Sequence, residues 1–355
     1  MISPLNKYNM TLAIMKGIAI VSVVAGHCSM YKVVENYVNQ YHLAVFFFVA
    51  GYFLSDKYVK SPILLIKKRF KTLYVPFVLS GLVFLLLHNV LATIYINDQS
   101  LSLSQMFMGG LNLVLKLFST EPLMGAMWFC PVLLFASIIS VLVLAIGRKI
   151  DRENDVPIFC LMILTVFCGS FSLKVLSLKS PYCIWQNMII SGILFERWLF
   201  RKYFERYVPS NKAIMLLLFL IMSIIIGVNV NFGTLCNLQV DNVNIVPAWA
   251  LLVAALVGCI MVYSLSTLFI GTKIGHILAV IGNHSFSIMM FHFLAFKLVN
   301  LIMCLAEGYS LALISNFPTI QYGNIIWFFA YIFVGCSFPI VIVKIKNIIF
   351  KKYEF

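Results

Sequence analysis

Apolar stretches of about 20 residues recur from one end of the chain to the other, separated mostly by short polar connections. One crossing of a bilayer core needs about that length of apolar helix. Backbone polar groups in lipid must be satisfied internally, and a helix does this. The pattern predicts an all-α, polytopic integral membrane protein with about ten transmembrane helices, at 11–30, 41–56, 73–95, 125–147, 156–173, 181–200, 213–230, 246–271, 277–305 and 323–343. The second is short and is expected to extend or to sit among other helices. No connection is long enough for a soluble domain, so residues 1–355 read as a single membrane domain. The connections near 96–124, 229–246 and 306–322 are the longest and carry Asn, Ser, Gly and Pro. Re-entrant or amphipathic pieces over an outward cavity are expected there. No internal repeat is visible, which gives an inverted-repeat transporter no support.

Composition agrees with this pattern: 62% of the residues are apolar and 11% are charged. A soluble domain needs roughly twice that charged fraction to cover its surface. The net charge of +14 would point to nucleic acid in a soluble protein. Here it reads as basic residues holding cytoplasmic loops in place, with no nucleic-acid partner. One set of alternate connections holds Lys57, Lys60, Lys67, Lys68, Arg69 and Lys71, then Arg148, Lys149 and Arg152. The same set continues with Arg197, Arg201, Lys202, Arg206 and Lys212, then Lys273, with Lys7 before it and Lys344, Lys346, Lys351 and Lys352 after it. The other set holds only Lys32, Lys116, Lys174 and Lys179. That asymmetry puts both termini in the cytoplasm. The first apolar run contains Lys16 and no clear small-residue cleavage site, so it reads as a retained span rather than a removed signal peptide. The nine cysteines form no C-x-x-C pair, which indicates neither a metal site nor a disulfide framework. Cys28, Cys183 and Cys236 fall near the expected outer face, where one pairing is open.

Ionisable side chains inside a span are costly and mark candidate functional sites. Those here are Lys16, His27, His42, His88, His292 and Lys297; no Asp or Glu is expected deep in a span. Asp56 and Glu196 fall at cytoplasmic ends, and Glu121 just outside the fourth span. Lys16 and His27 are eleven residues apart, and three helical turns take about 10.8, so they share one face. Lys16 lies toward the cytoplasm and His27 about 16 Å further out. A bland alternative has Lys16 snorkelling to the inner surface and His27 ending the helix. His42 opens the second span before Phe46-Phe47-Phe48, Gly51 and Tyr52, a run that packing alone also explains. His292 follows Asn283, His284, Ser285 and Ser287, which can bond across helices as structural glue. Trp128 with Glu121 suits an interface anchor.

In chain order these residues resemble the membrane acyltransferase family 3, and within it the fucose 4-O-acetylase-like branch of polysaccharide O-acetyltransferases. The hallmark of a basic residue, ten others, then His reads Lys16-Gly17-Ile18 through Gly26-His27. Next come Tyr41-His42 leading to Phe46-Phe47-Phe48 and Gly51-Tyr52, then Lys67-Lys68-Arg69 ahead of Pro76. Trp128-Phe129 precedes Leu133, and Gly282-Asn283-His284-Ser285 leads to His292. Lys16 stands where Arg is commoner, Leu43-Ala44 replaces the usual Met-Pro, and His284 takes a position more often Lys or another polar residue. The middle spans match only in kind.

The resemblance implies an O-acetyltransferase moving an acyl group, usually acetyl, from cytoplasmic acetyl-CoA to a hydroxyl of a capsule, cell-wall or other surface glycan at the bacterial plasma membrane. No metal is implied. An acetyl thioester is already activated, so the protein must chiefly take the hydroxyl proton and stabilise an oxyanion. Imidazole suits the first task. His27 is therefore the expected general base, with an acyl-histidine route also open. Lys16 and Arg69 are expected to hold the donor's phosphates. His42, Tyr52, Trp128, Asn283, Ser285 and His292 are expected around the acceptor. The rival class is a transporter or exporter of a glycan or small polar solute, against which the lack of deep carboxylates counts. A catalytically inactive assembly or sensor protein is a further alternative.

Overall fold

A computed structural model describes residues 4–176, 184–208, 211–231, 238, 247–321 and 324–351, and for 4–9, 206, 346, 347 and 349–351 it describes the backbone alone. Every regular element among these is helical. The first part of the chain forms α1 (Pro4–His27), α2 (Lys32–Asn39), α3 (His42–Tyr52), α4 (Asp56–Lys60) and α5 (Pro62–Arg69). A π-helical turn, Phe70–Tyr74, carries α5 into α6 (Val75–Thr93), and α7 (Leu103–Lys116) follows. A 3₁₀ segment, Pro122–Trp128, leads into α8 (Phe129–Ile150). Then come α9 (Val156–Lys174), α10 (Ile184–Leu199), α11 (Lys212–Asn231), α12 (Ala248–Phe269), α13 (Lys273–Asn283), α14 (Ser285–Glu307) and α15 (Ile325–Lys351).

Among the described residues, eight helical stretches are long and apolar enough to cross a bilayer: Met10–His27, Pro62–Thr93, Pro122–Ile150, Val156–Lys174, Lys212–Asn231, Ala248–Phe269, Ser285–Glu307 and Ile325–Ile345. The chain is a multi-pass membrane protein. The two other expected spans are shorter helices. At 11 residues α3 would cover about 16 Å, and all its residues from His42 to Gly51 are buried among its neighbours. Gly51 brings it against α10, where an added Cβ would run into the Leu194 carbonyl. The expected span 181–200 is the 16-residue α10, likewise buried from Gln186 to Phe195 apart from Met188 at its edge. The expected span 277–305 is also corrected. It breaks at His284 (φ −102°, ψ 12°), because α13 docks backbone-to-backbone on α1 while α14 continues separately. Of the expected outer pieces, 96–124 contains the amphipathic helix α7, opened by a Ser102–Gln105 capping box. The connection near 306–322 holds a short 3₁₀ turn, Leu311–Ser315. Cys183, Cys236 and most of 229–246 lie outside the described residues.

The α1–α13 contact sets the position of the first helix. A Cβ on Gly17 would overlap the Leu278 carbonyl, and one on Gly282 would overlap the Ala13 carbonyl. Small residues let membrane helices approach until dispersion between backbones holds them, since lipid supplies no hydrophobic drive. Elsewhere, polar ties do this work. Asp155, buried in the α8–α9 turn, gathers Arg148, Lys202 and Tyr203. At the opposite end His88 Nδ1 lies 2.6 Å from Glu121 Oε2, and its Nε2 is 2.9 Å from the Gln99 carbonyl. Both side chains are buried, and their contact ties the connection before α8 to α6. Lys297 is also spoken for: its Nζ donates to the carbonyls of Ile314, Ser315 and Asn316 at 3.1, 2.9 and 2.8 Å.

Gly17→Val should force α1 from α13 and cost at least the ~1–3 kcal/mol typical of overpacking. A lowered thermal midpoint in detergent checks this; an unchanged midpoint contradicts it. For His88 and Glu121, single changes to Leu should each cost about 3–5 kcal/mol by stranding a buried partner. The double change should cost clearly less than the sum, as read by thermal unfolding of all four proteins.

Candidate functional site

α1 carries Lys16 and His27 on one face, as their spacing requires, and both side chains are half-buried. Lys16 has no hydrogen-bond or ion-pair partner among the described residues. Between the two, Ile20 and Val23 on the same stripe are fully or almost fully buried, at 0% and 2% exposure. The stripe is thus a packed seam with an accessible cation toward one end and an accessible imidazole at the other.

At the imidazole end α14 brings His292 onto His27, with ring centroids 5.4 Å apart and planes inclined by 23°. Phe293 lies across the same ring at 5.0 Å. His292 Nδ1 is 2.9 Å from the Ile288 carbonyl and 3.1 Å from that of Met289. Carbonyls only accept, so Nδ1 bears the hydrogen and Nε2 keeps a lone pair. That Nε2 is buried with no hydrogen-bond partner. His42, opening α3, is near enough to His27 for charge on one to act on the other. Its own Nδ1 is held 2.6 Å from the Val38 carbonyl, so α2 fixes its orientation. His27 makes no hydrogen bond through either ring nitrogen among the described residues. Although three histidines converge, no group of three or more His, Cys, Asp or Glu among the described residues is placed to share a metal ion.

Trp128 belongs to this end. It closes the 3₁₀ segment that packs on α14, where Gly125 leaves room for Phe293 and Phe317. Asn283 and Ser285 do not. Gly282 touches α1 at Ala13 and Gly17, so both lie level with Lys16, and Asn283 is exposed. Seven residues from Ser285 to His292 put about 10 Å between the levels. Tyr52 is also removed, at the far end of α3 from His42. It sits between Arg197 and Arg201, whose guanidinium carbons are 5.0 and 4.9 Å from its ring centre. Arg69 ends α5, which packs on α8, and its Nε is buried without a partner.

Two features escaped the sequence reading. Arg197, expected as a cytoplasmic loop cation, is buried at 1% exposure among Phe48, Tyr52 and Phe200 and pairs with Glu205 at 3.3 Å. Burial raises the Glu205 carboxyl, against the pull of Arg197 and Arg201. The second feature is Phe293, whose ring joins His27 to His292; its only sequence signal was adjacency to His292. Glu196, by contrast, belongs to a separate apolar cleft of about 570 Å³ between α9, α10 and the start of α12.

Imidazoles with free lone pairs at one end of a helix and an unpaired ammonium further down suit transfer between an anionic donor and a neutral acceptor. Comparison with known proteins bears on the class of that transfer. No curated protein and no solved structure matches the chain. A family model described as an acyltransferase domain matches residues 11–344, from the turn before Lys16 to beyond His292 and through most of α15. The transporter alternative is not favoured by that match. The chain is a membrane acyltransferase and belongs to the acyltransferase-3 family.

Proposed function

We propose that this acyltransferase moves an acetyl group from cytoplasmic acetyl-CoA to a hydroxyl of a surface glycan, such as capsule, exopolysaccharide or cell-wall sugar, at the bacterial plasma membrane. The fucose 4-O-acetylase-like branch is the one its motifs resemble most, and both termini lie in the cytoplasm. The observation that carries the reading is His27: it stands three turns from Lys16 on the same helix and leans on His292, and among the described residues neither side chain has a hydrogen-bond partner.

Lys16 offers its ammonium to the phosphates of coenzyme A as a point charge, with Arg69 a second candidate on the basic side. Ile20 and Val23 fill the seam between Lys16 and His27. The donor's arm therefore has to run beside that seam rather than along it. His27 takes the proton as the acceptor oxygen attacks the thioester carbon, forming the new C–O bond. The tetrahedral intermediate then collapses, the C–S bond breaks, and the thiolate leaves with the proton from His27. His292 and His42 flank the base, and Trp128 lies on the acceptor side. Tyr52 belongs with the donor end, between Arg197 and Arg201; Asn283 and Ser285 stand level with Lys16 and suit the donor better than the acceptor.

His27→Ala should lower acetyl transfer by about 10²–10⁴-fold at an unchanged membrane level. Radiolabelled acetyl-CoA in membrane vesicles measures it, and proton NMR of surface-glycan O-acetyl groups gives the cellular readout. Wild-type activity in that variant removes His27 from the chemistry. Lys16→Ala should raise the KM for acetyl-CoA, with Lys16→Arg retaining part of the affinity; equal donor KM in all three proteins contradicts the assignment.

A further inference from the structure

Phe317 stands in the connection between α14 and α15, with the Lys297 ammonium 5.7 Å from its ring centre. The residue is 45% exposed. It packs on Phe293 with centroids 4.7 Å apart, and Phe293 in turn lies 5.0 Å from His27. One ring therefore separates it from the proposed base. Gly125, in the segment that ends at Trp128, has no side chain to cover it; a Cβ there would meet Phe317 at 3.4 Å and Phe293 at 3.2 Å.

An isolated exposed aromatic needs no explanation, but this one is fixed on both flanks. Before it, Lys297 and Asn300 bind the carbonyls of residues 314–316: Lys297 takes all three, and Asn300 Nδ2 donates to Ile314 and Asn316 at 3.1 and 3.3 Å. After it, Thr319 Oγ1 donates to the Cys28 carbonyl at 2.6 Å, fastening the connection to the residue next to His27. Ile320 N donates to Tyr331 Oη at 3.3 Å, and Tyr331 Oη donates to Asn300 Oδ1 at 2.6 Å, which closes the network. Three carbonyls on one buried ammonium is a costly way to hold a surface turn. The outcome is a rigidly held aromatic ring one ring away from the imidazole pair.

We infer that Phe317 is the stacking platform of the acceptor site, taking the apolar C–H face of a pyranose ring so that one hydroxyl points at His27. Lys297 and Thr319 are positioning residues that hold the platform. This rests on the glycan reading above. Rigid aromatic faces suit such a ligand because they offer area at low entropic cost and leave its hydroxyls free to hydrogen-bond at their edges.

The test uses the full-length protein in phospholipid nanodiscs, radiolabelled acetyl-CoA and a panel of methyl pyranosides as acceptors. Phe317→Ala should raise the acceptor KM by about tenfold or more, with the acetyl-CoA KM unchanged. Phe317→Trp should stay near wild type. Thr319→Val, similar in size but lacking the bond to Cys28, should raise the acceptor KM alone by a smaller factor. An acceptor KM in Phe317→Ala within twofold of wild type overturns the platform, as does a parallel loss of donor affinity, which marks a scaffold residue. A wild-type protein that acetylates no pyranoside but another alcohol overturns the glycan reading, and the platform with it.

Discussion

The contact on which the rest of the arrangement depends is the one between α1 and α13, where Gly17 and Gly282 let two backbones meet without side chains between them. In a bilayer, helices gain little from leaving lipid for one another, so close approach and polar ties must hold the bundle. Here close approach fixes the rotation of α1. Once Gly17 faces α13, Lys16 and His27 are committed to the adjoining stripe, and the stripe meets α14 where His292 and Phe293 project. The break at His284 serves the same end. It frees α13 to lie flush on α1 while α14 takes the direction that brings its imidazole to His27.

The polar groups of the interior divide by their partners. His88 with Glu121, Lys297 with three carbonyls, and Arg197 with Glu205 and three aromatic rings are each engaged by the protein. Their desolvation is offset by hydrogen bonds or ion pairs, and each holds a connection or a short helix in place. Among the described residues, nothing engages Lys16, His27 or Nε2 of His292 in that way. A half-buried ammonium without an anion and an imidazole without a hydrogen bond are expensive to leave idle in this setting, which is the physical reason to assign them to ligands.

Much of this could be read from the chain, with limits that follow from the kind of signal used. Hydropathy located the long helices because it integrates over 20 residues; it could not see that α3 is short and wholly enclosed, since a buried helix is as apolar as a spanning one. The eleven-residue spacing placed Lys16 and His27 on one face because helix geometry is local. Partners on other helices were another matter. Asn283 and Ser285 are near His292 in sequence, yet the break at His284 and the rise along α14 separate them from it. Tyr52 shares its apolar run with His42, but α3 puts the two at opposite ends. The break at His284 carries no proline, and its cause lies in Gly282 touching another helix. Arg197 looked like one more loop cation because its aromatic cage comes from residues some 150 positions earlier, Phe48 and Tyr52, as well as nearby Phe200.

The central claim is that Lys16 and His27 serve the two ends of one donor. Cryo-electron microscopy of the protein with a non-hydrolysable acetyl-CoA analogue, its thioester sulfur replaced by methylene, tests it directly. The account predicts phosphate density beside the Lys16 ammonium and the acetyl carbonyl beside the paired rings of His27 and His292. Density for the analogue in a different cavity, with His27 turned to lipid or out of reach of the carbonyl, contradicts it.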